Sequence, residues 1–151
     1  MTTKRVALGG LLLALALIVS WAESLIPPPI PAVPGIKLGL ANVIVLVVMY
    51  RFGAKLALPL NAARVLLAGF IFTGLWGMAY SMSGAMVSFA VMYALKRSGK
   101  FSVLGVSAAG GVFHNLAQLI LAAAALGDAR LMYYYPVLIL SGLICGAITG
   151  L

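Results

Sequence analysis

The chain has 151 residues, of which 64% are hydrophobic and only 8% are charged, and its formal net charge is +8 at pH 7. Soluble proteins carry roughly a quarter charged residues, so this composition excludes an ordinary soluble domain and predicts an integral membrane protein. A bilayer crossing needs about 20 apolar residues, so the chain has room for at most about six or seven crossings in a single transmembrane domain, residues 1–151.

Six apolar runs, bounded by charged residues, proline or glycine, predict six transmembrane helices. In chain order they cover residues 6–26, 37–51, 56–74, 76–95, 101–126 and 132–151. The first run also has the basic start of a cleaved signal peptide, but it stays apolar past Ala22, which favours a retained helix. An even number of crossings puts both termini on the same side of the membrane. That side carries more lysine and arginine residues, which is typical of the cytoplasmic side. The predicted fold is therefore an all-α, six-helix membrane bundle with both termini in the cytoplasm.

Small residues four positions apart indicate where helices approach closely. Gly10 and Ala14 have this spacing in the first helix, and Gly142, Gly146 and Gly150 have it in the sixth. Such stripes pack either against the protein's own helices or against a partner. We expect packing within the chain in general, and the first helix is the best candidate for a partner surface.

Several polar side chains lie in or beside the predicted apolar helices. The candidate binding residues are Asn42, Asn61, Arg64, His114, Asn115 and Gln118, with Glu23 and Lys37 near the predicted outer mouth. An arginine at the bilayer centre costs about 2.5–3.5 kcal/mol, so Arg64 is expected to face the bundle interior. Its counter-charge is expected to be Glu23 or Asp128 reaching inward, backbone carbonyls and amides of the protein, or an anionic ligand. The polar residues around His114 likewise form either an interhelical hydrogen-bond clamp or, as we favour, the wall of a pocket.

The sequence gives little support for catalysis. The nearest approach to a phosphate-binding loop, ALKRSGKF, has Ala94 in place of the first glycine and Phe101 in place of the hydroxyl residue. The chain has two acidic residues, one histidine and one cysteine, which cannot form clustered carboxylates or a zinc site. We therefore expect no enzyme activity, no metal and no cofactor. The basic charge reflects membrane topology and does not indicate nucleic-acid binding.

Several segments taken together resemble one known family. They are the basic N-terminus, the proline-rich loop ESLIPPPIPAVPG (23–35), PGIKLGLANVIVLV (34–47), NAARVLLAGFIFTG (61–74) and GGVFHNLAQL (110–119). Over essentially its whole length the chain resembles the Gx transporter family, whose members are often labelled heptaprenyl diphosphate synthase component I. That family lies within the superfamily of substrate-binding S components of energy-coupling factor (ECF) vitamin transporters.

The resemblance implies an S-component-like fold in the bacterial cytoplasmic (inner) membrane. Such a protein captures a small vitamin-like or isoprenoid-related substrate from the outer side. It would work with a coupling subunit, contacted by small residues such as Gly10 and Ala14 of the first helix, and with ATPase subunits supplied by other chains. A synthase is not expected, because the aspartate-rich motifs of prenyl synthases are missing. The alternative is a non-catalytic membrane scaffold or accessory subunit of a quinone, prenyl diphosphate or flavin-linked redox complex.

Overall fold

The computed structural model describes residues 3–27 and 39–151, without the side chains of residues 4 and 5. Within these ranges every regular element is helical, which confirms the all-α fold class. The α-helices are α1 (Thr3–Ser24), α2 (Asn42–Arg51), α3 (Ala54–Ala68), α4 (Gly74–Ser98), α5 (Val103–Leu126) and α6 (Tyr135–Gly150). Lys37 and most of the proline-rich loop lie outside the described residues.

Four helical stretches in the described part of the chain are long and apolar enough to cross a membrane: 6–24, 54–98, 103–126 and 129–150. The second contains 45 residues, which as one straight helix would measure about 68 Å, more than twice the hydrocarbon core. It reverses direction near Gly74, where φ is 70° after a π-helical turn. The Asn61 amide of α3 donates to the Ala85 carbonyl of α4, 3.1 Å away. Thus α3 and α4 form an antiparallel helical hairpin.

Helix α2 is shorter than the sequence predicts. It has 10 residues and begins at Asn42, so it is about 15 Å long, half the thickness of a hydrocarbon core. The predicted start at residue 37 is too early, because Gly39 has a φ of 82° and the chain passes through a turn before Asn42. Since Asn42 lies beside His114 in the middle of α5, α2 begins at mid-depth in the bundle.

The core has two apolar clusters with a polar layer between them. One cluster is formed mainly by α2, α3 and α4 and reaches Val106 on α5. The other lies around Leu119 on α5, Tyr80 on α4 and Leu138 on α6. The polar residues of α5 fall between Val106 and Leu119. The polar layer is therefore covered by apolar side chains at both ends of the bundle.

The glycine stripe of α6 packs within the chain, as the sequence favours. A methyl group in place of the Gly142 hydrogen would lie 2.8 Å from the Gly111 carbonyl group of α5. At Gly146 the methyl group would lie 2.6 Å from backbone atoms of Ser107 and Ala108, which also belong to α5. Helix α1 differs, since Gly10 and Ala14 are exposed and a methyl group at Gly10 would meet no described atom within 4 Å.

Candidate functional site

The polar layer contains every predicted ligand-binding residue that the structure describes. All seven are buried: Glu23, Asn42, Asn61, Arg64, His114, Asn115 and Gln118. Four helices, α1, α2, α3 and α5, supply them, and none comes from an exposed loop. Burial of so many polar groups is costly unless each one finds a hydrogen-bond partner, so their contacts decide what the layer can do.

Arg64 connects three helices through neutral partners. Its Nη1 donates to Ser20 Oγ on α1 at 3.3 Å, and its Nη2 donates to Asn61 Oδ1 at 2.8 Å. Asn61 in turn donates to the Ala85 carbonyl of α4. Among the described residues, the Arg64 Nε has no hydrogen-bond partner. The guanidinium is thus held in place with one buried donor left over.

Glu23 fastens the end of α1 to the start of α2. Its Oε1 accepts hydrogen bonds from the backbone amides of Gly39 and Leu40, the latter at 3.2 Å. The Glu23 side chain is buried, and its position near the outer mouth of a binding pocket stays a prediction.

His114 lies between the backbones of Gly39 and Gly84. A methyl group at Gly39 would lie 3.0 Å from His114 Cδ2, and one at Gly84 would lie 2.8 Å from His114 Cε1 and Nδ1. The Asn42 amide nitrogen is 3.4 Å from His114 Nδ1 and 3.5 Å from the Ser88 hydroxyl. Both glycines therefore leave room for the imidazole, which any side chain at these positions would displace.

Asn115 faces away from this group. Successive residues of a helix point about 100° apart, and the Asn115 amide donates to the Leu138 carbonyl of α6 at 2.9 Å. Gln118 lies on the His114 side, because a methyl group at Gly84 would be 3.0 Å from its Cγ. Asn115 thus serves as a clamp between α5 and α6, and the other six predicted residues form a second group.

We call that second group the polar cluster. It consists of Glu23, Asn42, Asn61, Arg64, His114 and Gln118, supported by Ser20, Gly39, Gly84 and Ser88. Sequence reasoning did not select the four supporting residues as site residues. The spacing could have pointed to Ser20, which is three positions before Glu23 on the same face of α1, and to Ser88, which is four positions after Gly84 on α4.

A small cavity adjoins the polar cluster, with room for about one water molecule. Its wall includes Asn42, whose Oδ1 has no hydrogen-bond partner among the described residues. Ser107 and Thr149 also line this cavity, and their hydroxyl oxygens are 2.6 Å apart. In the described part of the chain, no three His, Cys, Asp or Glu residues are grouped as metal ligands. The polar cluster can therefore bind a ligand through hydrogen bonds, and it contains one basic side chain, Arg64, and one acidic side chain, Glu23.

Comparison with known proteins gives one family. The profile described as heptaprenyl diphosphate synthase component I matches residues 12–151, so the chain belongs to that family. No curated protein and no solved structure matches the chain. The family label predicted from the sequence motifs is confirmed.

Proposed function

We propose that this member of the family is the substrate-binding subunit of an energy-coupling factor type importer. It binds a small vitamin-like or isoprenoid-related molecule in the bacterial cytoplasmic membrane. The six α-helices cross or enter the bilayer with both termini in the cytoplasm. Other chains supply the coupling and ATPase subunits, and this chain performs no catalysis of its own.

The observation that carries the proposal is the buried Arg64 in the polar cluster. An intramembrane arginine is costly and usually belongs to a functional site. A purely structural arginine would be expected to use all its donors, yet the Nε has no partner among the described residues. Leaving a buried donor without a hydrogen bond costs about 1–3 kcal/mol. A ligand acceptor that binds this N–H would remove that cost.

The charges of the polar cluster narrow the ligand class. The cluster contains one acidic side chain, Glu23, and one basic side chain, Arg64, and both are buried. The remaining groups are amides, hydroxyls and an imidazole, which recognise hydrogen-bonding atoms. These properties favour a polar, uncharged or zwitterionic molecule over a strongly anionic one.

The exposed face of α1 is the proposed contact with a coupling subunit. Ala16, Ser20 and Glu23 are buried on the inner side of this helix, whereas Gly10 and Ala14 are exposed. Small residues allow another helix to approach closely, and helices in lipid associate mainly through such packing. The proposed partner helix therefore lies along Gly10 and Ala14.

The family description supports a second candidate, a non-catalytic membrane accessory of prenyl diphosphate synthesis. A scaffold for a quinone- or flavin-linked redox complex belongs to the same class of function. That function requires the helix packing but no small soluble ligand. It predicts that the protein copurifies with a soluble synthase or reductase. The importer predicts instead that coupling and ATPase subunits copurify.

Native mass spectrometry of the detergent-purified protein tests the first proposal. We expect one small molecule per chain in the wild type, its loss in Arg64→Gln and its retention in Arg130→Gln, a control at an exposed arginine. Size-exclusion chromatography establishes that each variant is folded. A folded wild type without a bound molecule, isolated with a soluble synthase, would favour the accessory function.

A further inference from the structure

One end of the bundle carries a group of exposed cations that the proposed function does not use. We call it the basic end. Arg51 and Lys55 border the connection between α2 and α3, and Arg97 and Lys100 border the connection between α4 and α5. All four side chains are exposed.

Lys96 brings these two connections together. Its Nζ donates to the Met49 carbonyl at 2.5 Å and lies 4.7 Å from the centre of the Tyr50 ring. These contacts place the C-terminal turn of α4 beside that of α2. Arg97 and Arg51 therefore emerge at the same end of the bundle. Lys96 itself serves the fold, since it binds one of the last carbonyls of α2.

No acidic side chain of the protein balances the basic end. The sequence contains only two acids. Glu23 is buried in the polar cluster, and Asp128 follows the opposite end of α5, which at 24 residues is about 36 Å long. This separation exceeds the Debye length of about 8 Å at physiological salt. The like charges at the basic end thus have no acidic side chain beside them as a counter-charge.

Apolar rings lie directly beside the cations. Phe52, next to Arg51, is 48% exposed, and Phe101, next to Lys100, is 51% exposed. Phenylalanine rings beside cations suit the boundary between headgroups and acyl chains, because the rings can contact acyl chains while the cations contact phosphate groups. Such a surface matches a partner with an anionic head and an apolar body. We propose that the basic end binds the phosphate headgroup of an anionic phospholipid.

Lipid retention in native mass spectra tests this inference. The probes are phosphatidylglycerol and phosphatidylcholine with identical acyl chains, added at equal concentration to the detergent-purified protein. The wild type should prefer phosphatidylglycerol. Each basic residue near a membrane surface contributes about 1 kcal/mol, equivalent to about five-fold in affinity. The triple variant Lys55→Gln/Arg97→Gln/Lys100→Gln should therefore weaken phosphatidylglycerol binding about 100-fold, while Arg130→Gln should leave it unchanged.

Two further measurements use the wild type, so they do not depend on the folding of a variant. Raising the salt concentration from 0.05 to 0.5 M should abolish the preference, because exposed charges are screened. Inorganic phosphate at the lipid concentration should not displace the lipid. Equal retention of the two lipids, a preference that survives high salt, or an unchanged preference in the triple variant would each overturn the inference. Displacement by inorganic phosphate would reassign the basic end to a free phosphate anion.

Discussion

Replacing Gly142 with alanine tests the close approach of α5 and α6. The added methyl group would lie 2.8 Å from the Gly111 carbonyl group and from Val112 Cα, all of them backbone atoms. Ordinary contacts of a Cβ begin at 3.4 Å, so the two helices must separate by at least a few tenths of an ångström. A separation of about 0.5–1 Å already removes a quarter to a half of the dispersion energy of each contact.

The expected magnitude follows from two opposing terms. Overpacking a well-packed interface costs about 1–3 kcal/mol, and alanine in place of glycine in a helix returns about 0.5–1 kcal/mol. We expect Gly142→Ala to destabilise the protein by about 1–2 kcal/mol, a factor of about 5–30 in the folded to unfolded ratio. The assay is reversible unfolding in mixed micelles of mild and denaturing detergent, followed by far-UV circular dichroism.

Gly9→Ala is the matched control, because the same change on α1 would place a methyl group 3.8 Å from Leu56, an ordinary contact. It should leave the free energy of unfolding unchanged or raise it slightly. The reasoning fails if Gly142→Ala is as stable as the wild type. It also fails if both variants lose the same amount of stability, since the effect would then not come from the helix interface.

Three further substitutions address the polar layer. Gly84→Ala should displace His114, because two ring atoms would lie 2.8 Å from the new methyl group. We expect it to weaken the binding of any copurified ligand, measured by native mass spectrometry, more than it lowers stability, measured by circular dichroism. Intact ligand binding would argue against a role of the imidazole. Glu23→Gln should speed hydrogen exchange at the Gly39 amide, because hydrogen bonds to a charged acceptor contribute about 1.5–3 kcal/mol. An unchanged exchange rate would show that this hydrogen bond does not fix the start of α2. Asn115→Ala should lower stability by about 0.6 kcal/mol or somewhat more and leave ligand retention intact, whereas loss of the ligand would place this residue in the binding site.

Much of the helical architecture follows from local features of the sequence. The predicted end of the fifth helix at residue 126 is confirmed, because Gly127 adopts a φ of 65° and ends α5. Burial of Arg64 was also predictable, since the cost of exposing it to lipid leaves few alternatives. These outcomes depend on propensity and on single-residue energies, which a sequence contains.

The start of α2 depends on a contact that a local pattern cannot contain. The Glu23 carboxylate binds amides of residues 39 and 40, so the helix boundary is set by a residue 16 positions away in the chain. The separation of His114 from Asn115 has a similar origin. Both residues are polar and adjacent, but only the positions of α4 and α6 decide which one meets the polar cluster and which one meets a backbone carbonyl.

Helix α1 links the two surfaces on which the proposed function depends. Its inner face supplies Ser20 to Arg64 and Glu23 to the first amides of α2. Its outer face exposes Gly10 and Ala14, which lie about 15 Å and about 9 Å from Ser20 along the helix axis. Because α1 is one continuous helix from Thr3 to Ser24, a partner that rotated it as a rigid body would shift both contacts together. Under the proposed function, docking on the outer face would therefore loosen the polar cluster, and a rigid partner that left α1 in place would not.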